Sequence, residues 1–314
     1  MISGLPFDDL RNLARQLPAP DAAAAGRVHA AAEAYAGRAG PLGRLTEVAA
    51  WLAASTGGPP RVLRPVVALF AGTHQAGAGG GSAEVQAFVD RTAAGGGAVN
   101  QACAAGDIGL KIFDLALDVP VDDIAAGPAL DEKGCAATIA FGMEAVAGGT
   151  DLLVLAGFGG EGGRISAEAL LAAMVPGLEA GISAAARRVL EVHRRHLSDP
   201  LEALRRLGGR ETAALVGAIV AARIERVPVL LDGAAALAAA AVLARLAEGA
   251  LAHCMVADAG GDALADAAAT ALGLLPLQSL ALGTQDGAAG ALAASLAKSA
   301  ALVLAGADEF LRRG

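Results

Sequence analysis

The sequence predicts an α/β fold: a Rossmann-like parallel sheet of about six strands with helices on both faces, plus a small helical subdomain from the termini. Two observations carry this expectation. Six short runs rich in Val, Leu and Ile are each followed by a turn and then a helical pattern. The stretches between them are Ala-rich, which favours helix and lets helices lie close to a sheet with few large side chains.

In chain order, Pro18 and Pro20 precede Asp21, an N-cap for a helix running to about Arg38. A second helix covers roughly Leu45–Ala54 and stops at Thr56-Gly57-Gly58-Pro59-Pro60. The expected strands are PVVALF (Pro65–Phe70), KIFDLAL (Lys111–Leu117) and DLLVLA (Asp151–Ala156). VPVLLD (Val227–Asp232), AHCMVA (Ala252–Ala257) and QSLALG (Gln278–Gly283) complete the set. Long helices are expected over Ser183–His196 and Asp199–Arg223, and another closes the chain from Ala288. The corresponding division is an N-terminal helical part at 1–58, an α/β domain at 59–287, and a C-terminal helix at 288–314 that completes the small subdomain.

Composition narrows the function class. Of 314 residues, 55% are hydrophobic but only 3% aromatic, so small side chains must supply the core. A formal charge of −8 without basic runs argues against nucleic acid or an anionic membrane as partner. Cys103, Cys135 and Cys254 match neither a disulfide framework nor a zinc spacing. The N-terminus has acids and no apolar signal core, and Gly233–Ala244 is too short to span a bilayer. The expected location is the cytoplasm.

Ligands of open parallel sheets bind beyond the carboxyl ends of the strands. Here those ends carry GTHQAGAGGGS, GFGGEGG, DGAAA, DAGGD and GTQDGAAG. Glycine lets backbone N–H groups approach an anion, and a following helix N-terminus adds a favourable dipole. The loops therefore point to a phosphate-bearing ligand, or else reflect composition alone. No GxGxxG opens a helix after the first strand, and no P-loop occurs. His193 and His196 sit on an Arg-rich helix and read as a solvated face; His29 reads as surface and His253 as packed. His74 differs because it falls just past the first strand. Carboxylates near strand ends are Asp118, Glu161, Asp232, Asp258, Asp262 and Asp286, and Glu132 opens a helix near Gly134. Glu132 can serve the helix dipole, Asp232 can cap a helix, and Gly95, Gly96 and Gly134 can mark tight turns instead of contacts.

An ordered set of segments resembles the nicotinate-nucleotide–dimethylbenzimidazole phosphoribosyltransferases. It comprises GPLGRLTEVAAWLAASTGG (Gly40–Gly58), PRVLRPVVALFAGTH, GGGAVNQACA (Gly95–Ala104) and EKGCAATIA (Glu132–Ala140). DPLEALRRLGGRETAALVGAIVAARIERVPVLLDG (Asp199–Gly233) and ALGLLPLQSLALGTQDGAAGALA complete it. The resemblance implies transfer of ribosyl phosphate from nicotinate mononucleotide to 5,6-dimethylbenzimidazole, by a homodimer needing no cofactor or metal. It also implies departures. Thr284 stands where the family carries its basic glutamate, leaving Asp286 as the nearest candidate base. Thr73 replaces an aspartate beside the retained His74, and Ala87 replaces a glutamine downstream of the retained Ser82. Ala137 stands for an asparagine in a segment keeping Glu132, Gly134 and Thr138. An expected lysine before His193 has Arg187 or Arg188 as its spatial substitute, and DAGGDALAD replaces a His-Ser-Glu-Pro pattern. The implied substrate-binding set is His74, Ser82, Gly95, Gly96, Glu132, Gly134, Asp232 and Thr284. Three readings follow: an enzyme with altered chemistry, a degenerate relative that binds a nucleotide or α-ribazole-like ligand, or a non-catalytic dimer partner.

Overall fold

A computed structural model describes residues 5–75 and 81–313. Residues 76–80 of the Gly-rich segment after the first strand lie outside the described residues. The chain begins with α1 (Asp8–Arg15), α2 (Ala22–Ala39) and α3 (Arg44–Thr56). There follow β1 (Pro65–Ala71), α4 (Gly81–Ala93), α5 (Ala98–Gly106), β2 (Gly109–Asp114), α6 (Glu132–Gly142) and β3 (Leu152–Phe158). Next are α7 (Gly160–Met174), α8 (Ala184–His193), α9 (Pro200–Leu207), α10 (Arg210–Ile224) and β4 (Val229–Asp232). The chain ends with α11 (Gly233–Leu246), β5 (Cys254–Asp258), α12 (Ala263–Ala271), β6 (Pro276–Gln278) and α13 (Ala288–Arg313).

The sheet has six strands in the order β2-β1-β3-β4-β5-β6, and every pairing is parallel. The chain leaves β1 toward β2 and then returns to place β3 on the other side of β1. That reversal is a topological switch point, and the crevice beyond the carboxyl ends of β1 and β3 is where such sheets bind ligands.

Both faces of the sheet are covered, which the period-2 burial states directly. Ala68, Phe70, Leu153, Leu155, Val229, Leu231 and Val256 face the larger core with α6, α7, α10 and α11. Val67, Leu152, Val154, Leu230, Met255 and Ala257 face the second core with α3, α5 and α13. Small residues set the helix spacing. A Cβ on Gly217 would lie 1.8 Å from the Ile139 carbonyl oxygen, and one on Gly142 would lie 1.9 Å from that of Ala214. The α6–α10 contact is thus nearly backbone on backbone.

Several expectations are corrected by the packing. The last strand is Pro276–Gln278, and Ser279–Gly283 leaves the sheet because its amides are used elsewhere: Leu280 and Leu282 N–H donate to the Asp258 carboxylate. The helix expected over Asp199–Arg223 is two helices broken at Gly208–Gly209, where both glycines take an extended backbone with ψ of 150° and 178°. Phe7 beside α1 and Leu10 within it join the larger sheet core, and the first half of α13 lies on the sheet, where Gly290 rides over Val154. Only later does α13 meet α2 and α3, with Leu304 packed among Ala24, Val28 and Ala50. α13 is long and apolar enough by composition to cross a membrane, but more than half of that stretch is buried within the fold.

Candidate active site

A crevice of about 340 Å³ opens at the switch point. Its wall is Gly157–Gly160 between β3 and α7, then Glu161, Gly163, Arg164 and Ala167 along α7. Glu211 of α10, Ala235 of α11, Glu84 of α4 and Gly283–Gln285 before α13 complete it.

The β3–α7 connection reads Gly157-Phe-Gly159-Gly-Glu-Gly162, the glycine spacing that lets a backbone approach a phosphate where a strand feeds a helix. No such spacing follows the first strand; it stands behind the third. Gly160 needs its glycine conformation, with φ +60°. The helices that begin at this crevice lack side-chain caps: Gly159 at α7, Gly209 at α10, and Asp232 at α11, whose carboxylate makes no cap bond. By contrast, Asp131, Ser183, Asp199 and Asp262 cap α6, α8, α9 and α12. The uncapped first turns leave amide N–H groups and positive helix ends directed at the crevice, an arrangement suited to an anion. Arg164 adds a cation on its wall and also pairs with Glu168.

Phe158 supplies the flat apolar surface. It is stacked on buried Phe88, with ring centroids 3.9 Å apart and planes 17° apart, and it lines the crevice. A heteroaromatic ring fits against such a face.

Behind the crevice lies a buried pair that the sequence reading did not assemble. His74 Nε2 and Glu211 Oε1 are 2.8 Å apart, with side chains 1% and 0% exposed. Burial raises the Glu211 carboxyl. The charge and hydrogen bond of His74, the Glu211 backbone N–H and Arg210 outweigh that and hold it below the usual carboxylate range. Among the described residues, Glu211 Oε2 and His74 Nδ1 have no hydrogen-bond partner. The usable sequence signal is an acid directly after Gly208-Gly209-Arg210, opening an otherwise apolar helix.

The other expected site residues fall in different places. Thr284 is exposed and lines the crevice. Asp232 ends β4, buried on the α13 side of the sheet, and its Oδ2 accepts from Gly290 N–H. Burial pushes its carboxyl up to about 7, aided by the charges of Asp286 and Asp258 and opposed by the Gly290 and Gly287 amides. Asp286 lies on that same side and accepts from Ala288 N–H at the start of α13, so it is a helix-end ligand off the crevice wall. Ser82 is half-buried in the first turn of α4, also off that wall. Gly95 takes φ +83° where α4 ends, Gly96 N–H donates to Arg91, and both are exposed away from the crevice. Glu132 is exposed and Gly134 N–H donates to Asp131, so this pair forms a helix start beside, not within, the crevice. Arg187 is held by the Ala180 and Ile182 carbonyls and lines another groove. His193, expected on a solvated face, is buried against the Ile124 carbonyl.

Comparison with known proteins agrees with this architecture. A family described as "Phosphoribosyltransferase" matches residues 17–312. A nicotinate-nucleotide–dimethylbenzimidazole phosphoribosyltransferase of Agrobacterium fabrum is 46% identical, covering 100% of this chain and 96% of the relative. One of Allorhizobium ampelinum is 47% identical, covering 100% and 97%. The crystal structure of the enzyme of that name from Thermus thermophilus superposes with a TM-score of 0.79 at 25% identity, covering 91% of this chain and 96% of the other.

Proposed function

Because the chain belongs to the phosphoribosyltransferase family whose relatives carry the name nicotinate-nucleotide–dimethylbenzimidazole phosphoribosyltransferase, we propose that it transfers the phosphoribosyl group of nicotinate mononucleotide to 5,6-dimethylbenzimidazole. The observation that carries this reading is the glycine turn Gly157–Gly162 opening α7 at the switch point, beside the uncapped starts of α10 and α11. Those amides and Arg164 are the phosphate subsite, and the Phe158 ring is the platform for the acceptor.

In the reaction, the lone pair of one benzimidazole nitrogen forms the bond to C1′. The C1′–nitrogen bond of the pyridinium breaks, its electrons go to the pyridine nitrogen, and nicotinate leaves. The acceptor then carries a proton on its second nitrogen, now as acidic as an imidazolium, in the range near 6.5 at which histidine titrates. Water at the crevice mouth can take such a proton at neutral pH. A dedicated base accelerates proton transfer by roughly 10²- to 10⁴-fold. Thr284 at the mouth and Asp286 on the far side therefore make this a slower enzyme without removing the chemistry. The protein works as a cytoplasmic homodimer without nucleic-acid or membrane partners, a reading supported by the resemblance and by the charge of −8.

The test is to follow nicotinate release and α-ribazole phosphate formation with purified protein. Release that depends on dimethylbenzimidazole supports the proposal. Absence of turnover with folded protein across a panel of benzimidazoles, purines and phenols refutes it.

A further inference from the structure

The His74–Glu211 pair is poorly explained as a stabilising element. Burying a carboxylate and an imidazole away from water is unfavourable unless every polar atom is satisfied, and an apolar pair of similar volume serves a core at least as well. Here, among the described residues, Glu211 Oε2 and His74 Nδ1 have no hydrogen-bond partner. Glycines from separate segments make room for the carboxylate itself, which packs directly against their backbones. A Cβ on Gly72 or Gly209 would lie 2.4 or 2.3 Å from Oε2, and one on Gly159 would lie 2.9 Å from Oε1. The glycines come from the end of β1, the start of α10 and the β3–α7 turn, so the carboxylate is the point on which three elements of the switch crevice converge. Among the described residues, Glu211 is also the one wall carboxylate with no exposed surface.

An ionised carboxylate oxygen without a partner accepts hydrogen bonds and offers none. The phosphate and the nicotinate carboxylate are anions that it repels. The ribose hydroxyls are donors, and they lie between the phosphate subsite at the start of α7 and the acceptor platform at Phe158. We infer that Glu211, locked in place by His74, is the acceptor for a ribose hydroxyl of the donor nucleotide and so selects ribosyl over deoxyribosyl phosphate. This rests on the phosphoribosyl-transfer reading. His74 is a positioning residue in it, fixing through Oε1 the carboxylate that meets the sugar.

The experiment is a substrate–mutant cycle on the full chain. Nicotinate mononucleotide and its 2′-deoxy and 3′-deoxy analogues are compared with the wild type and with Glu211→Gln. The intrinsic reactivity of each analogue is the same in both proteins and cancels in the ratio of kcat/KM values. A charge-assisted hydrogen bond predicts that Glu211→Gln lowers the ribosyl preference for one analogue by roughly 10- to 100-fold. Most of that loss appears in donor KM, with unchanged acceptor KM. A merely structural role lowers all three donors alike, and an unchanged preference overturns the inference. So does a loss confined to acceptor KM, which would move the carboxylate's partner to the benzimidazole N–H. If the glutamine variant does not fold, Glu211→Asp keeps the charge, withdraws the oxygen by one methylene and gives the same comparison. Absence of wild-type turnover with any donor counts against the phosphoribosyl-transfer reading, whereas turnover with unchanged preference counts against this inference alone.

Discussion

Replacing Asp232 by asparagine tests the electrostatics beside the crevice through stability alone. The Asp232 carboxyl has an ordinary value of 3.8 and is raised to about 7 in the fold by burial, with Asp286 and Asp258 adding like charge. Between those values the native protein holds a proton that the unfolded chain has released, so native stability falls as pH rises through the interval. At about 1.4 kcal/mol per tenfold change in proton activity, the whole interval is worth roughly 4 kcal/mol, of which roughly 3 kcal/mol lies between pH 4.5 and 8. The amide introduced by Asp232→Asn keeps an oxygen for Gly290 N–H but does not titrate. Urea denaturation of both proteins across that range gives the stability difference at each pH. Subtraction removes common contributions such as His253, whose value is lowered to about 3 by burial and Arg223 and whose own trend runs the opposite way. The variant is expected to gain on the wild type by roughly 3 kcal/mol from pH 4.5 to 8. Parallel curves would refute a raised Asp232 carboxyl.

Other substitutions separate scaffold from chemistry. Thr284→Glu puts a carboxylate at the crevice mouth and is expected to raise kcat by about 10²-fold, read as nicotinate release; no gain would deny Thr284 its place beside the acceptor. Asp286→Asn keeps a cap oxygen for Ala288 N–H and should leave turnover within about 3-fold, while a loss beyond about 10²-fold would return Asp286 to the role of base. Gly217→Ala forces a methyl group to within 1.8 Å of the Ile139 carbonyl and is expected to lower stability by about 3 kcal/mol or to prevent folding, measured as a fall in Tm. Phe158→Ala should raise acceptor KM by roughly 10-fold with donor KM little changed, through loss of the stacking face.

Much of the fold is legible because its signals are local. Apolar runs bounded by turns place β1, β3, β4 and β5 closely, and alternating residues such as Val67 and Ala68 face opposite cores. The failures have physical causes. LPLQSLALG has strand composition throughout, but Asp258 captures two of its amides and only Pro276–Gln278 pairs. The Gly208–Gly209 break does carry a local signal, each glycine being about 1 kcal/mol poorer than Ala within a helix, but the apolar periodicity on both sides masks it. Within the site, His74 is legible from its position after a strand. Glu211 is not, because nothing local brings an acid of α10 to a histidine 137 residues earlier. Asp286 looks catalytic in a linear comparison with the family, and in the fold its carboxylate accepts from Ala288 N–H at the start of α13.

Phosphoribosyl transfer at the β1–β3 switch-point crevice is open to test by product analysis. Purified protein is incubated with nicotinate mononucleotide, with and without 5,6-dimethylbenzimidazole, and nicotinate and α-ribazole phosphate are quantified together. The account predicts equal amounts of both products, formed only when the acceptor is present. Nicotinate release that ignores the acceptor, or no release from folded protein with any acceptor in the panel, would contradict it.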